Sequence, residues 1–195
     1  MYISVIGLGK LGLPFSFFLA SKKNRVIGYD VNHSVENLIN KNVKNIEPNL
    51  NSYIKKNSKN FIYEKNLEKV IKKRNISFLV LPTPSLPNGS FTNKFIIDSL
   101  NEISNALKKK RNKKHLIVIT STVSPGSCEN EFIPFLKKKG LKEKKDFLLV
   151  YNPHFIAQGS TIYNLEKPDL LLLGCDSNES NRKIKKFYKE IYNPK

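Results

Sequence analysis

The chain has 195 residues, 39% of them hydrophobic, which is enough for one domain with a full core. No apolar run approaches the ~20 residues that span a bilayer, so we predict a soluble protein with no membrane partner. The net charge of +18 suggests an anionic partner. However, the excess is lysine spread along the chain. Nucleic-acid sites combine Arg with aromatic residues on one face, so no specific nucleic-acid partner is expected.

The chain begins with a predicted strand (residues 2–6), a glycine-rich turn of the pattern G-x-G-x-x-G and a predicted helix (residues 11–22). In a dinucleotide-binding unit the first glycine permits the tight turn and the second lets the backbone approach a pyrophosphate. The third lets the helix pack against the strand. The free N–H groups at the start of the helix would face the phosphates. The predicted cofactor-binding residues of this turn are Gly7, Gly9, Lys10, Leu11 and Gly12.

A second predicted strand (residues 25–29) ends in Asp30, which stands 18 residues after Gly12. A carboxylate at this place accepts hydrogen bonds from the hydroxyls of an adenosine ribose. It would also repel a 2′-phosphate, and residues 31–33 offer no arginine to accept one. The sequence therefore predicts a dinucleotide site that takes NAD rather than NADP.

Strands and helices alternate along the rest of the chain, separated by a polar connection up to about residue 60 and a loop after residue 151. The predicted strands are residues 2–6, 25–29, 61–63, 76–81, 116–120, 147–151 and 170–173. The predicted helices are residues 11–22, 34–41, 67–74 with Asn66 as N-cap, 93–110, 127–139 and 178–191. Alternation with apolar strands predicts an α/β fold: a Rossmann-like, doubly wound, mainly parallel sheet with helices on both faces. We predict one domain over residues 1–195.

Polar or proline-containing motifs follow three of the predicted strands: Pro82-Thr83-Pro84, Ser121-Thr122 and Asn152-Pro153-His154. Ligands of doubly wound sheets bind past the carboxyl ends of the strands, so these motifs are expected to line one crevice beside the glycine-rich turn. A simpler interpretation stays open on the residues alone. Pro-Thr-Pro would merely end a strand, and Ser121-Thr122 would merely cap the following helix.

The two cysteines, Cys128 and Cys175, have neither metal-ligand spacing nor the pattern of a disulfide framework. Reduced thiols are typical of cytoplasmic proteins. We therefore predict no metal site and a cytoplasmic location.

The sequence resembles the N-terminal NAD-binding domain of the UDP-glucose/GDP-mannose dehydrogenase family. The matching blocks, in order, are residues 5–14, 28–32, 81–84, 121–126, 151–155 with Gly159, and 168–169 before Gly174. The resemblance implies oxidation of the C6 alcohol of a UDP- or GDP-sugar to a carboxylate, with two NAD and a thioester on a cysteine. It also implies that Pro82 and Thr83 border the bound NAD and that the Thr122 hydroxyl lies near both the cofactor and the reacting carbons.

The sequence departs from the family in the Asn-Pro-x-Phe block. The family carries a catalytic glutamate at the third position and often a second glutamate nearby, where this chain has His154 and Gln158. Histidine can act as a general base at neutral pH, but it cannot carry negative charge. His154 is therefore a candidate catalytic residue whose role would differ from that of the glutamate.

A second departure is that several family segments are absent from the 195 residues. These are the connecting helix, the Gly-x-Cys-x-Pro-Lys-Asp loop that supplies the nucleophile, and the sugar-nucleotide domain. Neither Cys128 nor Cys175 has the context of that loop. We expect a chain that is inactive alone and that uses a nucleotide sugar only if the second half is supplied. A homodimer is expected of the full-length family. The alternative is a non-catalytic NAD-binding module that pairs with another chain.

Overall fold

The computed structural model describes residues 1–40, 47–110, 114–157 and 159–192; Lys41, at the predicted end of the second helix, and Gln158 lie outside them. The strands are β1 (Tyr2–Ile6), β2 (Arg25–Tyr29), β3 (Phe61–Tyr63), β4 (Ile76–Leu79), β5 (His115–Ile119), β6 (Phe147–Tyr151) and β7 (Gly174–Cys175). The helices are α1 (Gly12–Ser21), α2 (Val35–Asn40), α3 (Leu50–Asn57), α4 (Leu67–Lys73), α5 (Lys94–Lys108), α6 (Ile133–Lys138), α7 (Thr161–Glu166) and α8 (Asn178–Tyr192). A 3-10 turn (Ser58–Asn60) precedes β3, and a π-helical turn (Cys128–Phe132) leads into α6.

The seven strands form one sheet in the order β3-β2-β1-β4-β5-β6-β7. All neighbouring pairs are parallel except β6 and β7, which are antiparallel. The chain starts in the middle at β1, builds outward to β3, and crosses back to β4 on the other side of β1. This order is that of a doubly wound dinucleotide-binding fold, so the predicted fold class is confirmed.

Helices cover both faces of the sheet, and each face has its own apolar core. Helices α1, α3, α7 and α8 pack with one face, and α4, α5 and α6 pack with the other. Helix α1 also contacts α3 and α7 on its outer side. Because α1 is enclosed in this way, Phe15, Phe17 and Phe18 are all buried, and the helix shows no polar face.

Two helices lie where the sequence predicted irregular connections. Helix α3 has its buried residues Leu50 and Ile54 four positions apart, a helical spacing that the surrounding Asn and Lys obscure. Helix α7 occupies the predicted loop between β6 and β7. The longer predicted strand 76–81 ends at Leu79.

The predicted strand at residues 170–173 is wrong. The strand that pairs with β6 is β7, which begins at Gly174. The leucine-rich run before it lies outside the sheet, with Leu170 55% exposed. An apolar run indicates burial, but it becomes a strand only where it pairs with a neighbouring strand. The free edge of β6 pairs with β7 and not with the leucine-rich run.

Asn66 caps helix α4 as predicted, since its side chain accepts a hydrogen bond of 3.0 Å from the N–H of Lys69. Asn66→Ala removes this acceptor and is expected to lower the free energy of unfolding by about 1 kcal/mol. Asn66→Asp keeps the acceptor and should unfold at the same urea concentration as the parent. Urea denaturation followed by circular dichroism compares the three proteins, and equal stability of Asn66→Ala and parent would contradict the cap.

A chain of hydrogen bonds between buried side chains crosses the sheet. The Ser77 hydroxyl lies 2.6 Å from that of Ser4 and 2.7 Å from Nε2 of His115, and all three residues are fully buried. The Nζ of Lys110 lies 3.3 Å from Nδ1 of His115. Burial, with the positive charge of Lys110 as a second cause, lowers the pKa of His115 to about 3. His115 is therefore neutral in the folded protein at pH 7.

Candidate functional site

The glycine-rich turn is packed against the end of β4 and against itself. Gly7 has φ +90°, and a Cβ added there would lie 2.2 Å from the carbonyl oxygen of Val80. A Cβ on Gly12 would lie 1.8 Å from the carbonyl oxygen of Gly7. Real Cβ atoms do not approach so closely, so both positions require glycine for the fold itself.

The middle of the same turn is open. A Cβ on Gly9 would meet no atom of the described residues within 4 Å. The N–H groups of residues 9–12, which include the predicted Lys10 and Leu11, donate to no group in the described part of the chain. These groups form the start of α1, where the helix dipole favours negative charge. The turn therefore fits an anion such as a pyrophosphate lying against Gly9.

The Asp30 carboxylate lies beside this turn and holds it in place. Its Oδ2 accepts a hydrogen bond of 2.6 Å from the N–H of Leu8, and its Oδ1 accepts one of 2.7 Å from the N–H of Asn32. A carboxylate has about four lone-pair sites, so two remain for ribose hydroxyls. The sequence predicts the ribose role of Asp30, whereas its hydrogen bond with Leu8 is visible only in the structure.

A cleft of about 660 Å³ extends from the turn across the carboxyl ends of β1, β2 and β4 to helix α5. Phe95, Asp98 and Glu102 of α5 contribute to its wall. Phe95 shares the helix with the buried Ile96 and Leu100 but is itself 43% exposed, because it lies over the cleft. The predicted residues that line the cleft are Gly7, Gly9, Asp30 and Pro82.

The predicted Thr83 and Thr122 are joined to each other at the ends of β4 and β5. The Thr83 hydroxyl donates to the carbonyl oxygen of Thr122 at 2.7 Å, and the side chain of Thr122 is exposed. Ser121 accepts a hydrogen bond of 2.8 Å from the N–H of Leu81. The interpretation of Ser121-Thr122 as a helix cap is wrong, because the following helical turn begins only at Cys128.

His154 lies after β6, against the amino-terminal half of α1. Its ring packs edge-on against Phe15, with 4.8 Å between ring centroids. Its Nε2 is 3.5 Å from the hydroxyl of Tyr188, and its buried Nδ1 has no hydrogen-bond partner among the described residues. Burial lowers the pKa of His154 to about 4, so the ring is neutral at pH 7. Within the described ranges no hydrogen bond joins His154 to Thr122.

Neither cysteine is placed as a reactive thiolate. Burial raises the pKa of Cys128 to about 12 and raises that of Cys175 as well. Both are free thiols. In the described part of the chain no group of three or more His, Cys, Asp or Glu side chains could hold a metal ion. No helix among the same residues is long and apolar enough to cross a membrane.

The strand order, the open glycine-rich turn at the start of α1 and the carboxylate after β2 together define a dinucleotide-binding domain of the Rossmann type. Residues 1–192 match the model of the UDP-glucose/GDP-mannose dehydrogenase family, NAD binding domain. The chain belongs to this family and corresponds to its NAD-binding domain, so NAD is the cofactor indicated.

Named relatives agree with this assignment. The chain is 28% identical over 198 residues to GDP-mannose 6-dehydrogenase of Pseudomonas aeruginosa, a match that covers 100% of this chain and 45% of that protein. It is 31% identical to UDP-glucose 6-dehydrogenase of Rickettsia felis, over 96% of this chain and 41% of that protein. A crystal structure of a ternary complex of GDP-mannose dehydrogenase from P. aeruginosa superposes with a TM-score of 0.91 at 28% identity, covering 97% of this chain and 44% of that one. The chain thus spans less than half the length of these relatives and corresponds to their N-terminal half.

Proposed function

We propose that this chain binds NAD in the cleft between the glycine-rich turn and α5, as the cofactor-binding half of a nucleotide-sugar 6-dehydrogenase. The observation that carries the proposal is the open, unpaired backbone at Gly9. No atom of the described residues lies within 4 Å of a Cβ placed there, and none of them accepts a hydrogen bond from the N–H groups of residues 9–12. An anionic ligand that lies against Gly9 would satisfy these N–H groups.

Different residues around the cleft would bind different parts of the cofactor. The turn from Gly7 to Gly12 would accept the pyrophosphate, and Asp30 would accept hydrogen bonds from the adenosine ribose. Pro82 and Thr83 would border the dinucleotide. Thr122, tied to Thr83, would direct its exposed side chain toward the cofactor and the reacting carbons. Bound NAD would supply the hydride acceptor of the oxidation.

The oxidation of a sugar alcohol to a carboxylate through a thioester also needs a nucleophilic cysteine. Cys128 and Cys175 are unsuited to that role, because burial keeps both in the thiol form. The proposal therefore includes a second polypeptide or further segment that supplies the cysteine and the sugar-nucleotide site. It also includes a homodimer and a cytoplasmic location, which the free thiols fit.

A second candidate function is a non-catalytic NAD-binding module that pairs with another chain. The observation that favours it is His154, a neutral, packed imidazole at the position where the family carries a catalytic glutamate. The two candidates differ when the chain is mixed with the separately expressed second half of the R. felis relative. NADH formation from UDP-glucose supports the dehydrogenase half, whereas NAD binding without turnover supports the module.

The test common to both candidates is calorimetric titration of the chain with NAD. Binding of NAD with one site per chain supports the proposal, and no heat at millimolar NAD would overturn it. Gly9→Ala should reduce the affinity, since its Cβ would occupy the place of the ligand.

Asp30→Ala is expected to lower the ratio of NAD affinity to NADP affinity by about tenfold or more. The substitution removes acceptors for the ribose hydroxyls of NAD and also removes a negative charge that opposes the 2′-phosphate of NADP. Loss of the contact with Leu8 weakens the turn for both cofactors, so it cancels in the ratio. The measurement is calorimetric titration of parent and variant with both dinucleotides.

The matched control is Glu190→Ala, which removes an exposed carboxylate of α8 that does not line the cleft. It should leave the affinity for NAD nearly unchanged. An equal loss for NAD and NADP in Asp30→Ala would contradict the ribose role.

A further inference from the structure

The carboxyl end of β6 carries a chain of side-chain hydrogen bonds that ends on His154. Asn152 is fully buried, and its Nδ2 donates to the carbonyl oxygen of Leu172 at 2.9 Å. A carbonyl oxygen can only accept, so this contact fixes the orientation of the amide and leaves Oδ1 of Asn152 as the acceptor on the other side. That Oδ1 faces the hydroxyl of Tyr188 in helix α8.

The hydroxyl of Tyr188 has one hydrogen to donate, and Asn152 receives it. The phenol stays protonated, because complete burial raises the pKa of Tyr188. The Tyr188 oxygen can then only accept from His154, whose Nε2 lies 3.5 Å away. This contact favours the tautomer of His154 that carries its hydrogen on Nε2.

We propose that Asn152 and Tyr188 are positioning residues that hold His154 in the Nε2–H tautomer, so that its buried Nδ1 carries the unprotonated lone pair. The buried Nδ1 takes no part in this chain of hydrogen bonds and has no partner among the described residues. The opposite tautomer would place a hydrogen on that partnerless atom. It would also direct the Nε2 lone pair at the Tyr188 oxygen, whose hydrogen is engaged elsewhere.

The chemical consequence is a neutral acceptor where the family has a carboxylate. An imidazole nitrogen can accept a hydrogen bond from an alcohol or a water molecule and can take its proton. It cannot pair with a cation as a carboxylate does. The lowered pKa of His154 agrees, because the ring enters the reaction neutral at pH 7. The partner from which Nδ1 can accept is thus an uncharged donor, such as a hydroxyl group or a water molecule.

The inference rests on the proposed function only in assigning His154 to the active site. The tautomer is a property of the chain alone, and its measurement requires neither NAD binding nor turnover. A failure of the tautomer test and a failure of NAD binding can therefore be told apart.

The test is two-dimensional NMR of the ¹⁵N-labelled 195-residue chain at pH 7, which reads the tautomer of each histidine from the shifts and couplings of its two ring nitrogens. The chain has three histidines, and the signals of His154 are identified by their loss in His154→Gln. We expect His154 as a single Nε2–H tautomer. His154 found as the Nδ1–H tautomer or as a mixture would overturn the proposal, and the parent spectrum alone decides this.

Tyr188→Phe removes the oxygen that accepts from Nε2 and is expected to convert His154 into a mixture of the two tautomers. The matched control is Tyr192→Phe, one turn later on α8, whose hydroxyl donates to the carbonyl of Leu165 at 2.9 Å. Both variants lose a phenol hydroxyl that is hydrogen-bonded within the fold, but only the first should move the ring-nitrogen signals of His154. A folded Tyr188→Phe protein in which His154 keeps the single Nε2–H tautomer would overturn the role of Tyr188.

Discussion

Gly12→Ala is expected to lower the free energy of unfolding by about 3 kcal/mol, which corresponds to a melting temperature roughly 10 °C lower for a chain of this size. The added methyl group would lie 1.8 Å from the carbonyl oxygen of Gly7. Backbone atoms cannot rotate away as a flexible side chain can. The start of α1 would therefore have to move off the turn, and the packing of α1 would be lost with it.

Gly9→Ala, three residues earlier, is the matched substitution with the opposite expectation. Its Cβ meets nothing within 4 Å, and its φ lies outside the left-handed region. Its stability should stay within about 0.5 kcal/mol of the parent, whereas its affinity for NAD should fall by about tenfold or more. The measurements are thermal unfolding followed by circular dichroism and calorimetric titration with NAD.

The pair separates the two requirements for glycine in one motif. If Gly9→Ala bound NAD as tightly as the parent, no ligand would approach the turn there and the cleft would have to be reassigned. If Gly12→Ala were as stable as the parent, the turn would have more room than the structure shows.

The local parts of the fold could be predicted from the sequence because their signals are local. The bounds of β1, β2, β3 and β6 agree with the predicted strands, since each is a short apolar run between polar or glycine residues. The alternation of strands and helices predicted a doubly wound, mainly parallel sheet, but the order of the strands is known only from the structure. The turn and Asp30 also lie within 30 residues of each other, so one motif predicts both.

The parts that could not be predicted depend on contacts between distant residues. Nothing in the sequence near Phe95 indicates that it lies over the cleft, because the wall of that cleft forms only when α5 packs beside β4. In the sequence, Tyr188 has the position of a residue on the apolar face of a helix. Its hydrogen bond to Asn152 could not be predicted, because the two residues are 36 positions apart. The leucine-rich run before β7 shows the same limit, since pairing and not hydrophobicity decides which residues enter the sheet.

The second large effect that we expect is a loss of stability in mild acid, caused by buried histidines. The pKa of His115 is about 3 in the folded protein, compared with about 6.5 for an unperturbed histidine. The unfolded chain therefore binds a proton that the folded chain rejects. The contribution of His115 is fully present above about pH 6.5 and is lost as the pH falls from there toward 3.

Between about pH 7 and pH 5 this loss amounts to about 2 kcal/mol for His115 alone, and His154 adds a share of its own. The variant His115→Gln removes the titrating group while keeping an amide N–H for Ser77. The variant should be less stable than the parent at pH 7, because it loses the hydrogen bond between Lys110 and Nδ1 of the imidazole. However, the decrease in its free energy of unfolding between pH 7 and pH 5 should be about 2 kcal/mol smaller than the decrease in the parent.

Urea unfolding of parent and variant at the two pH values gives this difference directly. The matched control is His33→Gln, since His33 is exposed on the surface and its side chain is hydrogen-bonded only to Tyr63 among the described residues. Its pH dependence should follow that of the parent. A parallel pH dependence in His115→Gln would mean that the imidazole takes up its proton without unfolding. In that case the hydrogen-bonded chain from Lys110 to Ser4 would have to rearrange around a charged ring.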